Sequence, residues 1–160
     1  MIILKYTNQL IQLQSLLMEL QEYLVSVDVE QVQTVYDNFG EKYSKYLLQQ
    51  INKNEGIIFL ALSNNDTIGM IAGYIEPKDE EDYISNRCPK RGIISDLVVT
   101  SSHRGKGVGR ELMKAIENFF SEQGCEFIAV NVFGPNKSAQ LFYDSLGFSQ
   151  RNIEYYKKTN

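Results

Sequence analysis

Three glycines within five residues constrain this chain more strongly than any other part of its sequence. They belong to residues 104–109, Arg-Gly-Lys-Gly-Val-Gly, which follow a strand-like run at 93–99 and open an amphipathic helix. Glycine has no Cβ atom to keep a ligand away from the backbone, and the first turn of a helix has free N–H groups and the positive end of the helix dipole. The pattern therefore predicts a cradle for an anion such as a pyrophosphate, with added positive charge from Arg104, Lys106 and Arg110.

Two other phosphate-binding motifs fit this stretch badly, and one purely structural interpretation stays open. A P-loop would need glycine in place of Thr100 and a Ser or Thr in place of Gly107. The dinucleotide-binding fingerprint would need glycine in place of Arg110. Considered alone, the glycines are also compatible with a tight turn that only reverses the chain.

Length and composition indicate a single domain over residues 1–160, since 43% of the residues are hydrophobic and 22% are charged. The apolar runs are far shorter than a membrane span, and the first residues do not resemble a secretory signal. Cys88 and Cys125 have neither metal-ligand nor redox spacing. We therefore expect a cytoplasmic protein with no membrane contact and no metal, and the net charge of -4 disfavours a nucleic-acid partner.

Hydrophobic periodicity predicts an α/β fold, in which a mixed sheet carries helices on both faces. The expected strands are residues 2–6, 57–62, 67–75, 93–99, 127–133 and 153–157, with turn formers at 63–66 that make a hairpin of the second and third. The expected helices are residues 10–24, 29–39, 43–50, 108–120 and 137–146. The second of these would start at a capping box on Asp28 and end at Gly40. Residues 76–91 are predicted to form a long polar loop.

Two motifs at the proper separation resemble the GNAT family of N-acetyltransferases. The first is residues 103–112, which include the glycine stretch, and the second joins Asn136 to the Phe142-Tyr143 pair and to Gly147-Phe148. The resemblance implies a single GNAT domain with a mostly antiparallel central sheet, and acetyl-coenzyme A as the acetyl donor. It implies that the cofactor is bound by the following residues: Leu97 and Val99 at the pantetheine arm, Arg104, Gly105, Lys106, Gly107, Val108, Gly109 and Arg110 at the pyrophosphate, and also Asn136 and Tyr143.

The resemblance also implies catalytic roles for two residues. Tyr143 matches the family tyrosine that reaches the coenzyme A sulfur, which makes it the candidate general acid. Asp96 is the candidate base, although Ser95 departs from the acidic pair that many relatives have here; a carboxylate that binds the substrate ammonium or orients a neighbour is the alternative. A helix cap is the alternative role for Asn136. No Ser–His or Cys–His pair stands out, so we expect direct attack by the amine in a ternary complex.

The acceptor is the least constrained part of the hypothesis. A small-molecule amine is favoured, and the alternatives are a protein lysine or N-terminus, or a non-catalytic module that senses acyl-coenzyme A. The acids of residues 76–82 could attract a cationic amine, although a solvated acidic loop is the simpler interpretation. Tyr23, Tyr36, Tyr43 and Tyr46 could line the acceptor cleft, but their helical spacing equally predicts core packing. Relatives are commonly dimers, so a homodimer is possible.

Overall fold

The computed structural model describes residues 1–78 and 88–159, which fold around a five-stranded sheet. The strands lie in the order β1-β2-β3-β4-β5. Each of the first four is antiparallel to its neighbour, and β4 and β5 are parallel. The predicted mixed and mostly antiparallel sheet is therefore confirmed. The strand bounds are β1 Ile2–Lys5, β2 Ile57–Ser63, β3 Asp66–Ile75, β4 Arg91–Val99 and β5 Phe127–Val130.

Four α-helices among the described residues cover the two faces of this sheet. Their bounds are α1 Leu10–Val27, α2 Phe39–Lys53, α3 Val108–Glu122 and α4 Lys137–Asp144. On one face α3 buries Leu112, Ile116 and Phe120 against the strands. On the other face α1 and α2 bury Leu13 and Leu47, in a separate cluster. Helices on both faces were predicted, and none of the described helices is long and apolar enough to cross a membrane.

Strand alternation explains why each face has its own core. Met70 and Ile71 are neighbours on β3 and both are fully buried. Met70 belongs to the α1/α2 cluster, whereas Ile71 belongs to the α3 cluster, because successive side chains of a strand point to opposite faces. The predicted hairpin is also confirmed. Asn64 and Asn65 join β2 to β3 with φ angles of 51° and 69°, as the left-handed positions of a tight hairpin turn require.

The helix predicted for residues 29–39 is wrong, and so is its end at Gly40. Asp28 does accept backbone hydrogen bonds, from Val32 at 2.7 Å and from Gln33 at 2.6 Å. These bonds hold a non-helical turn, in which Gln31 has a left-handed φ of 56° that no α-helix accommodates. Gly40 instead lies in the first turn of α2.

The strand predicted for residues 153–157 is also absent, and β5 is shorter than predicted because it ends at Val130. Ile153 and Tyr155 are 65% and 88% exposed. A strand needs a hydrogen-bonding neighbour and a buried face, and this segment has neither within the described part of the chain.

Residues 79–87 of the predicted polar loop lie outside the described residues, and the acids from Asp79 to Asp82 are among them.

Candidate active site

The pairing of β4 with β5 ends halfway along β4 and leaves an open edge. It runs from Arg91 opposite Phe127 to Ile94 opposite Val130. β4 continues to Val99, and this second half is paired with β3 only. Residues 95–99 therefore have no strand neighbour on their other side among the described residues. An extended ligand arm can pair with such an edge as an added strand would, and two predicted cofactor residues, Leu97 and Val99, lie on it.

A β-bulge at Ser95 brings two polar side chains to the same face of the sheet. Ala72 is opposite Asp96, and the next residue of β3 is opposite Ile94, so Ser95 is the extra residue of β4. Ile94 packs in the α3 cluster, whereas Val98 packs in the α1/α2 cluster. Because side chains alternate along a strand except at a bulge, Ser95 and Asp96 both lie on the α1/α2 face.

Asp96 is a buried carboxylate with one oxygen bound and one free. Its side chain is 5% exposed, and Oδ1 accepts a hydrogen bond of 3.1 Å from the hydroxyl of Tyr43 on α2. Oδ2 and the nearby Oγ of Ser95 are both buried without a hydrogen-bond partner. Burial raises the pKa of Asp96 above its usual range, and the hydroxyls of Ser95 and Tyr43 oppose that rise. A buried carboxylate with a free oxygen and a raised pKa has the properties of a proton acceptor.

The glycine stretch has the backbone geometry that the predicted anion cradle requires. Gly105 and Gly107 have left-handed φ angles of 73° and 84°, and a Cβ atom at either position would point into open space. These glycines are therefore required for their backbone angles. None of the five amides from Gly105 to Gly109 donates a hydrogen bond to a described residue, and the α3 backbone bonds begin with the amides of Arg110 and Glu111. A row of free amides at a helix N-terminus is suited to a pyrophosphate.

The side chains around this cradle differ in what they offer a ligand. Lys106 and Arg110 are exposed, and Arg110 also donates a hydrogen bond of 2.9 Å to the hydroxyl of Ser145. Val108 is 3% exposed because its side chain is part of the core, so only its amide can reach a ligand. The residues that were predicted to bind pyrophosphate therefore offer mainly backbone donors, with two exposed positive charges beside them.

Arg104 is held by the protein itself, mostly by α1. Its Nε donates to the carbonyl of Val99 at 3.0 Å. Its guanidinium lies 5.0 Å from the ring centre of Tyr23 and 3.6 Å from a carboxylate oxygen of Glu19. The Glu19 carboxylate also accepts a hydrogen bond of 2.7 Å from the amide of Ser101. Arg104 therefore links α1 to the cofactor loop, a role that the sequence did not indicate.

Asn136 and Tyr143 lie on the same side of α4, as their spacing of two helical turns predicts. Asn136 caps the helix, because its Oδ1 accepts from the amide of Ala139 at 3.1 Å. The same oxygen lies 3.4 Å from the hydroxyl of Tyr23. Its Nδ2 donates no hydrogen bond to a described residue and remains available to a ligand. The alternative role as a helix cap is thus observed, and it is compatible with a ligand contact.

Tyr143 is buried in an aromatic cluster and feels the charge of Asp96. It is 7% exposed, with its ring edge-on to Phe142 and Phe148 at centroid distances of 5.4 and 5.3 Å. Burial raises the pKa of Tyr143 far above its usual value, and the negative charge of Asp96 raises it further. The phenol therefore stays protonated at neutral pH, as a general acid must.

The contact of Tyr43 with Asp96 was not predicted from the sequence. Tyr43 was among the tyrosines that could line the acceptor cleft, but its helical spacing with Tyr46 and Leu47 does not point to Asp96. The bulge at Ser95 is equally hidden, because it depends on the register with β3. No group of three or more metal-ligating side chains occurs in the described ranges.

Comparison with known proteins agrees with this geometry. The sequence profile of the Acetyltransferase (GNAT) family matches residues 17–148. N-alpha-acetyltransferase 30 of Xenopus laevis is 29% identical over 122 residues, which are 74% of this chain and 42% of that protein. N-alpha-acetyltransferase MAK3 of Arabidopsis thaliana is 28% identical over 135 residues, 83% of this chain and 64% of that protein. The chain thus spans about half of the length of these curated relatives.

Two solved structures share the whole fold at low sequence identity. A mutant of the BH1408 protein of Bacillus halodurans has a TM-score of 0.84 and 19% identity, with 100% of both chains covered. The aminoglycoside 6'-N-acetyltransferase AAC(6')-IG of Acinetobacter haemolyticus has a TM-score of 0.73 and 18% identity, with 100% of this chain and 99% of that chain covered. At such identities the likeness concerns the fold alone.

Proposed function

Because this chain belongs to the acetyltransferase (GNAT) family, we propose that it transfers an acetyl group from acetyl-coenzyme A to a small primary amine. The observation that carries this proposal is the combination of two groups at the open edge of β4. One is the row of free amides from Gly105 to Gly109, and the other is a pair of buried groups, the carboxylate of Asp96 and the phenol of Tyr143, whose pKa is raised by burial and by the charge of Asp96. The first suits a pyrophosphate, and the second suits proton transfer.

The cofactor would be held by backbone groups more than by side chains. Acetyl-coenzyme A supplies an acetyl group activated as a thioester. The amides of Gly105, Gly107 and Gly109 would donate to its pyrophosphate, Lys106 and Arg110 would add charge, and Leu97 and Val99 would pair with its pantetheine arm. Asn136 would contribute its free amide nitrogen. Arg104 would act on this site mainly by fixing the loop against α1.

Asp96 and Tyr143 would manage the two protons of the reaction. An amine attacks only when it is uncharged, so Asp96 accepts a proton from the bound ammonium through Oδ2. Its raised pKa favours this role at neutral pH, since the best base has a pKa near the working pH. The amine nitrogen then bonds to the thioester carbonyl carbon, and as the C–S bond breaks Tyr143 donates its phenolic proton to the departing sulfur. The second proton that the nitrogen loses on forming the amide passes to the phenolate of Tyr143. As an alternative, Asp96 binds the ammonium and a water removes the proton.

A protein N-terminus is the second candidate acceptor, because two of the relatives above carry the name N-alpha-acetyltransferase. Other relatives point to small molecules: an aminoglycoside N(6')-acetyltransferase of Salmonella typhimurium is 24% identical over 103 residues, 62% of this chain and 68% of that protein. With either kind of acceptor, the group that reacts is a primary amine.

The direct test is release of coenzyme A from acetyl-coenzyme A, followed with a thiol reagent across a panel of amines and peptides. We expect release that depends on one class of amine. The variant Tyr143→Phe should keep the KM for acetyl-coenzyme A and lower kcat by about 100-fold, because it removes the general acid. An unchanged kcat would contradict the role of Tyr143, and no amine-dependent release at all would contradict the proposed function.

A further inference from the structure

A pocket of about 210 Å³ lies between α2 and the central strands, next to the bulge of β4. Its walls include the rings of Tyr43 and Tyr46 from α2 and of Tyr74 from β3. Ile93 and Ser95 of β4 line it as well. The remaining polar groups of the lining are the hydroxyl of Ser95 and the side-chain amides of Gln50 and Asn131. Aromatic walls with a few polar groups are the usual composition of a ligand site. The pocket is on the α1/α2 face, the same face as Asp96.

Carboxylates are scarce around this pocket. None of the described residues that line it is charged. Glu76, whose charge reaches Tyr74, is bound by both Nε and Nη2 of Arg91, with the Nε bond at 2.6 Å. Asp96, which is bound to the lining residue Tyr43, is then the one described carboxylate near the pocket with a free oxygen. The described part of the site therefore offers one carboxylate with a free oxygen, which can compensate about one positive charge.

Two buried oxygens of the bulge lie at the Ser95 wall of the pocket. One is the Oγ of Ser95, which lines the pocket, and the other is the Oδ2 of the neighbouring Asp96. The Ser95 hydroxyl is close enough to lower the pKa of Asp96, but neither oxygen makes a hydrogen bond of good geometry. Buried polar groups favour a partner, and a primary ammonium has three N–H donors. An ammonium at this end of the pocket would satisfy both oxygens.

We propose that this pocket binds the acceptor, and that the acceptor is a small primary amine with a single positive charge on an aromatic or apolar body. The inference rests on the proposed function and adds the substrate class. The ammonium lies at Ser95 and Asp96, and the body stacks between Tyr46 and Tyr74. Tyrosine faces stack with aromatic bodies and attract cations, whereas the second and third charges of a polyamine or an aminoglycoside would find no carboxylate partner among the described residues at this pocket.

The size of the pocket also favours a small molecule over a peptide. Pockets for drug-sized ligands have about 300–1,000 Å³, and this one is smaller. An extended peptide would place most of its length outside the three rings. The pocket therefore fits a free monoamine best.

Tryptamine is a suitable probe because this chain contains no Trp, so the indole fluorescence of the probe reports its binding without background from tryptophan. Binding and acetylation of tryptamine are compared with those of spermidine, kanamycin and a peptide with an apolar N-terminal residue, on the full chain. We expect kcat/KM for tryptamine to exceed that of each of the other three by about tenfold or more, because spermidine and kanamycin bring further uncompensated charges and the peptide exceeds the volume of the pocket.

Variants at Tyr46 test the pocket itself. Tyr46 is 54% exposed, so Tyr46→Ala should fold, and it should raise the Kd for tryptamine about tenfold through the lost ring contact. Tyr46→Phe keeps the ring and should restore binding. Tyr155→Ala is the matched control, because Tyr155 is 88% exposed in the C-terminal segment and should change nothing.

The outcomes separate this inference from the proposed function. Equal or better acetylation of spermidine, kanamycin or the peptide would overturn the monoamine inference and leave the proposed function intact. Absence of tryptamine binding, or equal binding by Tyr46→Ala, would overturn it too. Binding of tryptamine that depends on Tyr46, without transfer to any amine, would support the pocket and overturn the proposed function.

Discussion

The proposed cofactor side of this molecule uses mainly backbone groups, whereas its proposed acceptor side uses side chains. The cofactor side consists of backbone: the free amides from Gly105 to Gly109 and the open edge of β4. The acceptor side consists of side chains: the carboxylate of Asp96, the hydroxyl of Tyr43 that is bound to it, and the tyrosine rings of the pocket. Backbone groups are the same in every residue, so binding on the cofactor side depends mainly on the conformation of the chain.

This difference determines how each side responds to substitution. A side chain on the acceptor side can be exchanged for a near-isostere that removes one chemical group and leaves the fold intact. On the cofactor side, where most contacts would come from the backbone, the most effective change is one that alters the backbone angles or fills the space beside them. We therefore expect some substitutions to lower turnover without changing the Kd for acetyl-coenzyme A, and others to do the reverse. If every substitution changes both, the two sides do not differ in this way.

The largest effect should come from Asp96→Asn. We expect kcat/KM for the amine to fall by about 100- to 10,000-fold, since the base is lost, while the Kd for acetyl-coenzyme A changes by less than about twofold. The fold should tolerate the change, because the buried carboxylate already has a raised pKa and a neutral amide avoids the desolvation of its charge. Turnover and calorimetric cofactor binding check both statements. If Asp96→Asn also weakened binding of acetyl-coenzyme A strongly, the two sides would not be independent.

A smaller effect is expected from Gly107→Ala, on the cofactor side. A φ of 84° is strained for alanine, which costs about 1–2 kcal/mol of stability, and the new methyl group enters the space in which we place the pyrophosphate. The Kd for acetyl-coenzyme A should rise about tenfold, and kcat at saturating cofactor should stay close to that of the original protein.

Gly124→Ala is the matched control for this substitution. Gly124 has a φ of 72°, and its Cβ position is likewise open, but it follows the other end of α3. It should show a similar loss in thermal stability with no change in the Kd for acetyl-coenzyme A. If both variants weaken cofactor binding equally, the effect of Gly107→Ala is strain alone.

The same difference explains how much of the molecule could be predicted from sequence. The hairpin at Asn64 and Asn65 and the start of α3 were predicted correctly, since each depends on local chemistry of turns and caps. The segment at 29–39 was not, because the hydrogen bonds of Asp28 with later amides, and the left-handed Gln31, outweigh its helical periodicity. The segment at 153–157 has a strand-like pattern, but a strand also needs a partner, which the pattern cannot supply.

In the candidate site, too, the features that depend on neighbouring residues could be predicted, and those that depend on distant residues could not. Gly105 and Gly107 were identifiable because their spacing reflects backbone angles that few other residues adopt. The contact of Tyr43 with Asp96 joins residues that are 53 positions apart, and the bulge at Ser95 exists only in the register of two strands. Such contacts leave no periodic trace, so a tyrosine at a catalytic contact has the same pattern as a tyrosine in a core.

The smallest of these effects, and the one that refines the acceptor side most, should come from Tyr43→Phe. The hydrogen bond from Tyr43 stabilises the charged form of Asp96 and so lowers its pKa. Its removal should raise that pKa further, because the charged form of the carboxylate loses a hydrogen-bond donor.

The pH profile of kcat/KM reports this shift. The base acts only when it is ionised, so activity is lost as the pH falls through the pKa of Asp96, and in Tyr43→Phe that acidic limb should lie at higher pH. Activity at neutral pH should drop a few-fold and recover at alkaline pH, whereas a merely structural role would lower activity at every pH. Tyr46→Phe removes a hydroxyl from the same pocket without touching Asp96, so its acidic limb should stay in place. If both variants shift the limb equally, the pocket as a whole sets the pKa of Asp96, and the bond from Tyr43 has no special part in it.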